Sequence, residues 1–131
     1  MTFESTVHVY YQDTDAQGIV YHANYLDFAE RARTDMMYRL GLNNQTLIQR
    51  DIGMVIRHVD IDYLSPARLE DDLTIKTDIT TLNHVSMTLT QTFFRQNQQL
   101  VSVHIKIAFI SLTTFRPVRL PDDIALKLKG E

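Results

Sequence analysis

Hydrophobic spacing changes once along this chain, and that change limits what it can fold into. From Asn24 to about Leu40, Leu26, Ala29, Met36 and Leu40 recur at helical spacing, and Gly41 is placed to end that helix. A polar stretch from Asn43 to Arg50, carrying Leu47 and Ile48, reads as a short second helix. The period then drops to two and stays there. Ile52 to Leu64 reads as one long strand, and in the next Leu73, Ile75, Thr77 and Ile79 alternate with Thr74, Lys76, Asp78 and Thr80. Val85, Met87, Leu89, Gln91 and Phe93 make a third, which Gln96-Asn97-Gln98 turns into a fourth carrying Val101, Val103, Ile105, Ile107 and Phe109 on one face. Ahead of the helix, Val7, Val9 and Tyr11 alternate with His8 and Tyr10 as a first strand, and the residues after Pro121 read as a terminal helical turn.

The expected order is strand, long helix, then four strands in antiparallel meander. This is an α+β fold, an antiparallel five-stranded sheet wrapped around one long helix. One helix covers only one sheet face, so the outer face and the edges must be managed by polarity or by association.

Length and charge narrow the field. A chain of 131 residues without linker, repeat or low-complexity segment reads as a single domain, 1–131, large enough for a real core. Sixteen acidic against thirteen basic residues, with no basic tract, argue against nucleic acid as a partner. The absence of cysteine excludes disulfides, thiolate metal sites and a cysteine nucleophile. MTFESTVHVYY lacks the basic and apolar regions of a signal peptide, and Lys106 interrupts the longest apolar stretch, Val101 to Leu112. A cytoplasmic chain without a transmembrane segment is expected.

The chemistry concentrates between Tyr10 and Leu26, YYQDTDAQGIVYHANYL. Asp13 and Asp15 fall in a strand-to-helix connection just ahead of a helix N-terminus. The first N–H groups of a helix lack internal partners and carry partial positive charge, so they suit an anion or an oxyanion that forms during reaction. A carboxylate beside such donors is usable as a nucleophile or general base. Gly18 permits a tight turn and close substrate approach. Acidic residues before a helix also serve as plain caps, and spacing alone leaves both readings open.

Asp13-x-Asp15-x-x-Gly18-Ile19-Val20-Tyr21-His22-x-Asn24-Tyr25 resembles the signature of the 4-hydroxybenzoyl-CoA thioesterase family, acyl-CoA thioesterases of the hotdog fold. It is closer still to the bacterial branch associated with the Tol-Pal cell-envelope system. The shared runs are Tyr10 to Asp15, Gly18 to Tyr25, Glu30 to Thr34, and a second block from Asp62 to Asp71, DYLSPARLED. The likeness covers nearly the whole chain. It implies hydrolysis of an acyl-CoA or acyl-carrier-protein thioester without a cofactor or metal, in a homodimer or homotetramer with sites at the dimer interface.

Carried over residue by residue, the resemblance makes Asp15 the catalytic carboxylate, attacking the thioester to give a mixed anhydride or activating a water. Asp13 would orient the loop. The backbone N–H of His22 would polarise the substrate carbonyl, and its imidazole is a second candidate role. Tyr11, placed at the last strand residue before the loop, is a further catalytic candidate, with an interfacial tyrosine as the alternative. Gly18 and Tyr21 are candidate substrate contacts. The strand from Met54 through Val55, Ile56 and Arg57 to His58 would line the neighbouring subunit's acyl pocket, a role that core packing also explains. The aromatic-acyl enzymes place an arginine pair before the third long strand. Here Asn83 and His84 stand there with Ser86 following as a candidate substrate contact, a departure that argues against copying the aromatic substrate from those enzymes and leaves the phosphate contacts open. Phosphate contacts would fall to Arg57, Arg68, Arg95, Arg116 or Arg119.

Other chemistries find less support. His58, Asp60 and Asp62 share a strand face and have metal-ligand character, but a polar outer face explains them with less strain. No serine is flanked as G-x-S-x-G, and glycines 18, 41, 53 and 130 make no phosphate loop. Two rivals to the hydrolase remain: a non-catalytic acyl-thioester-binding or envelope-associated scaffold subunit, and a hotdog hydroxyacyl-thioester dehydratase. The second is disfavoured because the acid precedes the helix.

Overall fold

The computed structural model describes residues 2–130. Its elements run β1 (Thr2–His8), α1 (Asn24–Arg39), α2 (Asn44–Gln49), β2 (Gly53–Tyr63), β3 (Asp72–Leu82), β4 (Ser86–Arg95), β5 (Gln98–Ile110) and α3 (Asp122–Leu128). The strands form one sheet in the order β1-β3-β4-β5-β2, antiparallel throughout. The α+β hotdog expectation holds. The four-strand meander does not: β3, β4 and β5 follow one another, but β2 lies at the far edge against β5. Residues 64–71 therefore cross the end of the sheet to reach β3 beside β1. Periodicity marks β2 as a strand but says nothing about which neighbour it takes.

α1 lays Tyr25, Phe28, Ala29, Ala32, Met36 and Met37 on the sheet, an i, i+3, i+4 stripe. Leu26, expected on that stripe, is 38% exposed, because the buried face is rotated one residue back to Tyr25. Gly41, at φ 74, ends the helix in the left-handed conformation that glycine adopts without a Cβ penalty. Beneath the helix, side chains register in rows across the strands: Ile75, Phe93 and Val101; Thr77, Gln91 and Val103; Ile79, Leu89 and Ile105. On the other face the rows are polar, running Glu4, Lys76, Thr92, Ser102, Asp62 and Thr2, Asp78, Thr90, His104, Asp60. Polarity thus manages the outer face. No helix among the described residues is long and apolar enough to cross a membrane.

β1 stops at His8, and Tyr11 opens a 3-10 turn (Tyr11–Asp13) instead of ending the strand. The Asp13 carboxylate accepts the Tyr10 N–H at 2.9 Å, which bends the chain away from the sheet two residues before the alternation ends.

Two neighbouring polar residues on the inner face, Thr77 and Gln91, are buried in the core. Gln91 is 0% exposed; its amide donates to Ala29 O (2.9 Å) and Thr77 Oγ1 (3.1 Å), and its oxygen accepts from Arg33 (3.0 Å). It joins the middle of α1 to the middle of the sheet. Gln91→Leu keeps the volume and strands these partners without water, so we expect a loss of about 1–3 kcal/mol, read from the urea midpoint.

Candidate functional site

Two loops meet at the N-terminal end of α1. In the first, Asp15 N–H bonds Ile19 O (2.9 Å) and Gly18 N–H bonds Asp15 O (3.0 Å), closing a tight turn with Gly18 at φ 79. The second is the crossing segment 64–71. Val20 N–H donates to Ala67 O (2.9 Å), Leu69 N–H donates to Gly18 O (3.3 Å), and Ile19 bridges Arg68. The two stretches that carry the family likeness are one structure, laced through the backbone.

The aspartates take opposite tasks. Asp13 turns onto the main chain, its carboxylate holding Tyr10 N–H and its carbonyl accepting from Tyr21 N–H (3.0 Å) and Asn24 Nδ2 (2.9 Å). It orients the loop, as expected. Asp15 lines a cleft of about 340 Å³ with His22, Tyr25, Tyr63 and the Leu64–Pro66 turn. Its Oδ1 accepts Gln17 N–H (2.8 Å); its Oδ2 takes no hydrogen bond among the described residues.

Above it stands the helix end. Tyr21 and Asn24 spend their N–H groups on Asp13 O and Tyr21 O, whereas the amides of His22 and Ala23 meet no acceptor among the described residues. Tyr63 Oη donates to His22 O (2.8 Å), which fixes the His22–Ala23 peptide plane. The cleft therefore holds an acid having an unshared oxygen, and the unspent amides lie at the positive end of the helix beside it, where His22 joins the lining. That combination can activate a nucleophile and receive negative charge on a carbonyl oxygen.

Tyr25 closes the cleft from below. It is 2% exposed, set edge-on against Phe93 (5.4 Å, 89°) and Tyr63 (5.7 Å, 68°), and its Oη accepts Ala67 N–H at 3.0 Å. Burial raises its phenol above the usual pKa, with the Ala67 hydrogen bond acting the other way.

The remaining candidates are dispersed. Tyr11 is 82% exposed and stands outside the cleft lining. Tyr21 is exposed, its ring tilted against His22 at 4.5 Å. Gly18 shapes the turn and gives its carbonyl to Leu69. Met54 and Ile56 line a separate groove of about 220 Å³ between α1 and β2, with Arg33, Met36, Met87 and Ile107. Val55 pairs with Ala108 and alternates to the opposite sheet face. Arg57 is exposed at the register irregularity between Ile56 and His58. Ser86 is buried, its Oγ donating to Asn83 Oδ1 (3.1 Å). Arg95 is spent on Asp71 (2.7 Å) and Pro66 O, while Arg68, Arg116 and Arg119 are exposed.

His58 pairs with Asp60 (3.0 Å) on the polar outer face, and no group of three metal-ligating side chains occurs among the described residues. Tyr25 and Tyr63 escaped the sequence reading as site residues. Both lay within the quoted motifs, but nothing in spacing separates a tyrosine that lines a cleft from one that fills a core.

By sequence and by fold the chain is similar to known thioesterases. The model of the thioesterase-like superfamily matches residues 9–128. An acyl-CoA thioester hydrolase, YbgC, from Escherichia coli O6:H1 is 37% identical over 128 residues, 97% of this chain and 96% of its own length. An acyl-CoA thioesterase YbgC from Haemophilus influenzae is 36% identical over 93% of this chain and 90% of its own. The crystal structure of a probable thioesterase from Bartonella henselae superposes with a TM-score of 0.86 at 34% identity, covering 92% of this chain and all of the other (100%).

The turn makes one demand on Gly18. A Cβ there would meet nothing within 4 Å, so the positive φ alone requires glycine. Gly18→Ala should lower stability by about 1–2 kcal/mol, and Gly18→Asn by less, in chemical denaturation.

Proposed function

The chain belongs to the thioesterase-like superfamily and is an acyl-CoA thioester hydrolase, and on that premise we propose that Asp15 and the α1 N-terminus do the chemistry. Asp15 acts on the thioester carbon as nucleophile or as base for a water, while the His22 and Ala23 amides receive the charge growing on the carbonyl oxygen. One observation carries this reading: Asp15, with an unshared oxygen, and His22, whose amide meets no acceptor among the described residues, line the same cleft, with the unspent Ala23 amide next in the chain. Those donors cost little reorganisation during reaction, because Tyr63 Oη on His22 O and Asn24 N–H on Tyr21 O already hold their peptide planes. The His22 imidazole is exposed on the same cleft. Every group this scheme requires is a side chain or an amide, so it needs no cofactor.

The same reading includes a homodimer formed through β2. That edge carries Val55 (38% exposed), Ile56 (50%) and Tyr63 (49%), whereas β1, the other edge, is TFESTVH. An exposed apolar edge strand invites a second strand. Tyr11, exposed in one chain, is then a candidate contact from the partner copy. Pairing of two dimers, carrier-protein substrates and a cytoplasmic location belong to the same expectation.

Two measurements test it. Asp15→Asn should leave the fold intact and cut thiol release from acyl-CoA by about 10²–10⁴-fold, the range of general acid–base catalysis; near-full activity would remove Asp15 from the reaction, and a wild type that hydrolyses no thioester would leave the scaffold alternative. Ile56→Lys should shift sedimentation from dimer to monomer and lower thiol release with it.

A further inference from the structure

The Tyr25 hydroxyl has a hydrogen left over. As an acceptor it is engaged, by the Ala67 N–H at 3.0 Å. As a donor it meets no acceptor among the described residues, although the residue is 2% exposed and cannot turn freely to solvent. Buried donors are ordinarily paired, and one left open on the wall of a cleft is open for something that enters. The ring cannot move to find another partner, since Phe28, Phe93 and Tyr63 hold it edge-on at 6.4, 5.4 and 5.7 Å.

The same cleft holds one acceptor in the matching condition. Asp15 gives Oδ1 to Gln17 N–H and keeps Oδ2. Asp15 and Tyr25 line one space of about 340 Å³ and form no hydrogen bond to each other. A donor and an acceptor that face one cleft without meeting suit a bridging molecule with both valences, and water is the smallest. The carbonyl oxygen of a thioester has no such need of Tyr25, because the His22 and Ala23 amides wait at the helix end.

We propose that Tyr25 is a water-positioning residue: its O–H donates to the attacking water while that water donates to Asp15 Oδ2. This rests on the thioesterase reading and decides between its two forms, making Asp15 a general base. The water oxygen bonds to the thioester carbon as its proton passes to Asp15. The tetrahedral intermediate then breaks its C–S bond, and the thiolate leaves and recovers the proton from Asp15. Acid and thiol are released, and the enzyme is unchanged. Accepting the Ala67 N–H strengthens the phenol as a donor, since chained hydrogen bonds polarise one another.

Tyr25→Phe keeps the ring packing and removes the O–H, but it also leaves Ala67 N–H without its acceptor, so loss of rate alone does not distinguish the roles. Hydroxylamine does. It attacks thioesters without needing a proton removed, and the acid and hydroxamate formed from one acyl-CoA report the two attacks in one sample, after subtraction of the uncatalysed reaction. In the wild type the held water has the advantage. In Tyr25→Phe the acid-to-hydroxamate ratio should fall about tenfold, the worth of one hydrogen bond, with kcat reduced more than KM is raised. An unchanged ratio, whether kcat falls or not, assigns Tyr25 a structural role and overturns the proposal. If the variant does not fold, the first turnover of wild type decides: thiol should appear without a burst, and a burst near one equivalent per site means acyl-enzyme and overturns it. A wild type that releases no thiol at all refutes the thioesterase reading instead, so the two failures are told apart.

Discussion

Everything at the site depends on a few hydrogen bonds that residues 67–69 make to residues 18–20 and to Tyr25 of α1. Val20 N–H to Ala67 O, Leu69 N–H to Gly18 O, and Ala67 N–H to Tyr25 Oη join a loop that precedes the helix to a loop that follows β2. Each loop is partly paired already, the first internally through Asp15 N–H to Ile19 O and the second through Leu64 and Ser65 N–H to Leu100 O. Each carries main-chain donors and acceptors that must be satisfied once Ala67 and Val20 are buried. Pairing them with each other answers both needs, and it turns two connections into one rigid wall. The crossing of 64–71 over the sheet end, forced by β2 taking the far edge, is what brings the second loop beneath the helix start.

Within that wall, two aspartates of the same kind diverge because the backbone donors around them differ. Asp13 is placed where Tyr10 N–H points, at the opening of the 3-10 turn, and its carboxylate is consumed in bending the chain. Asp15 is placed where the chain has already turned, and only Gln17 N–H reaches it. The amides that might have satisfied it belong to His22 and Ala23, on the far side of the turn, and these stay open as well. The chain therefore leaves acceptor and donor valences unsatisfied together, at the mouth of one cleft. An unpaired polar group is costly when buried, and it is tolerable here because the cleft is open to water or substrate.

How much of this could be read from the sequence follows from which patterns repeat. Periods of 3.6 and 2 located α1 and the long strands to within a few residues, since burial on one face imposes those periods regardless of context. They failed where a tertiary choice entered. β2 looks like any strand, and its partnership with β5 is set by the route of 64–71. Leu26 matches helical spacing, yet the stripe is keyed to Tyr25, whose hydroxyl reaches Ala67. Tyr11 continues an alternation that a single carboxylate hydrogen bond interrupts. Met54, Val55 and Ile56 are successive in sequence, but the pleat turns Val55 to the face opposite its two neighbours. Asp15 and His22 were within reach because their motif is local. Tyr63 and the Leu64–Pro66 turn, some forty positions away, join them only through the fold.

The groove at Met54 and Ile56 raises a question of distance that the fold itself answers. Met54 and Tyr63 are nine residues apart on β2, about 30 Å at ~3.3 Å per residue. Asp15's cleft is at the Tyr63 end and the groove at the Met54 end, too far apart for one short acyl group to touch both within a single chain. Two β2 edges pairing antiparallel about His58, the middle of the strand, would set Met54 of one copy opposite Asp62 or Tyr63 of the other. The acid of one chain and the apolar groove of its neighbour then become adjacent without any change in either. Were two copies to pair in this way, the exposed edge and the separation of acid from groove would have one cause, a catalytic unit set at the seam between two sheets.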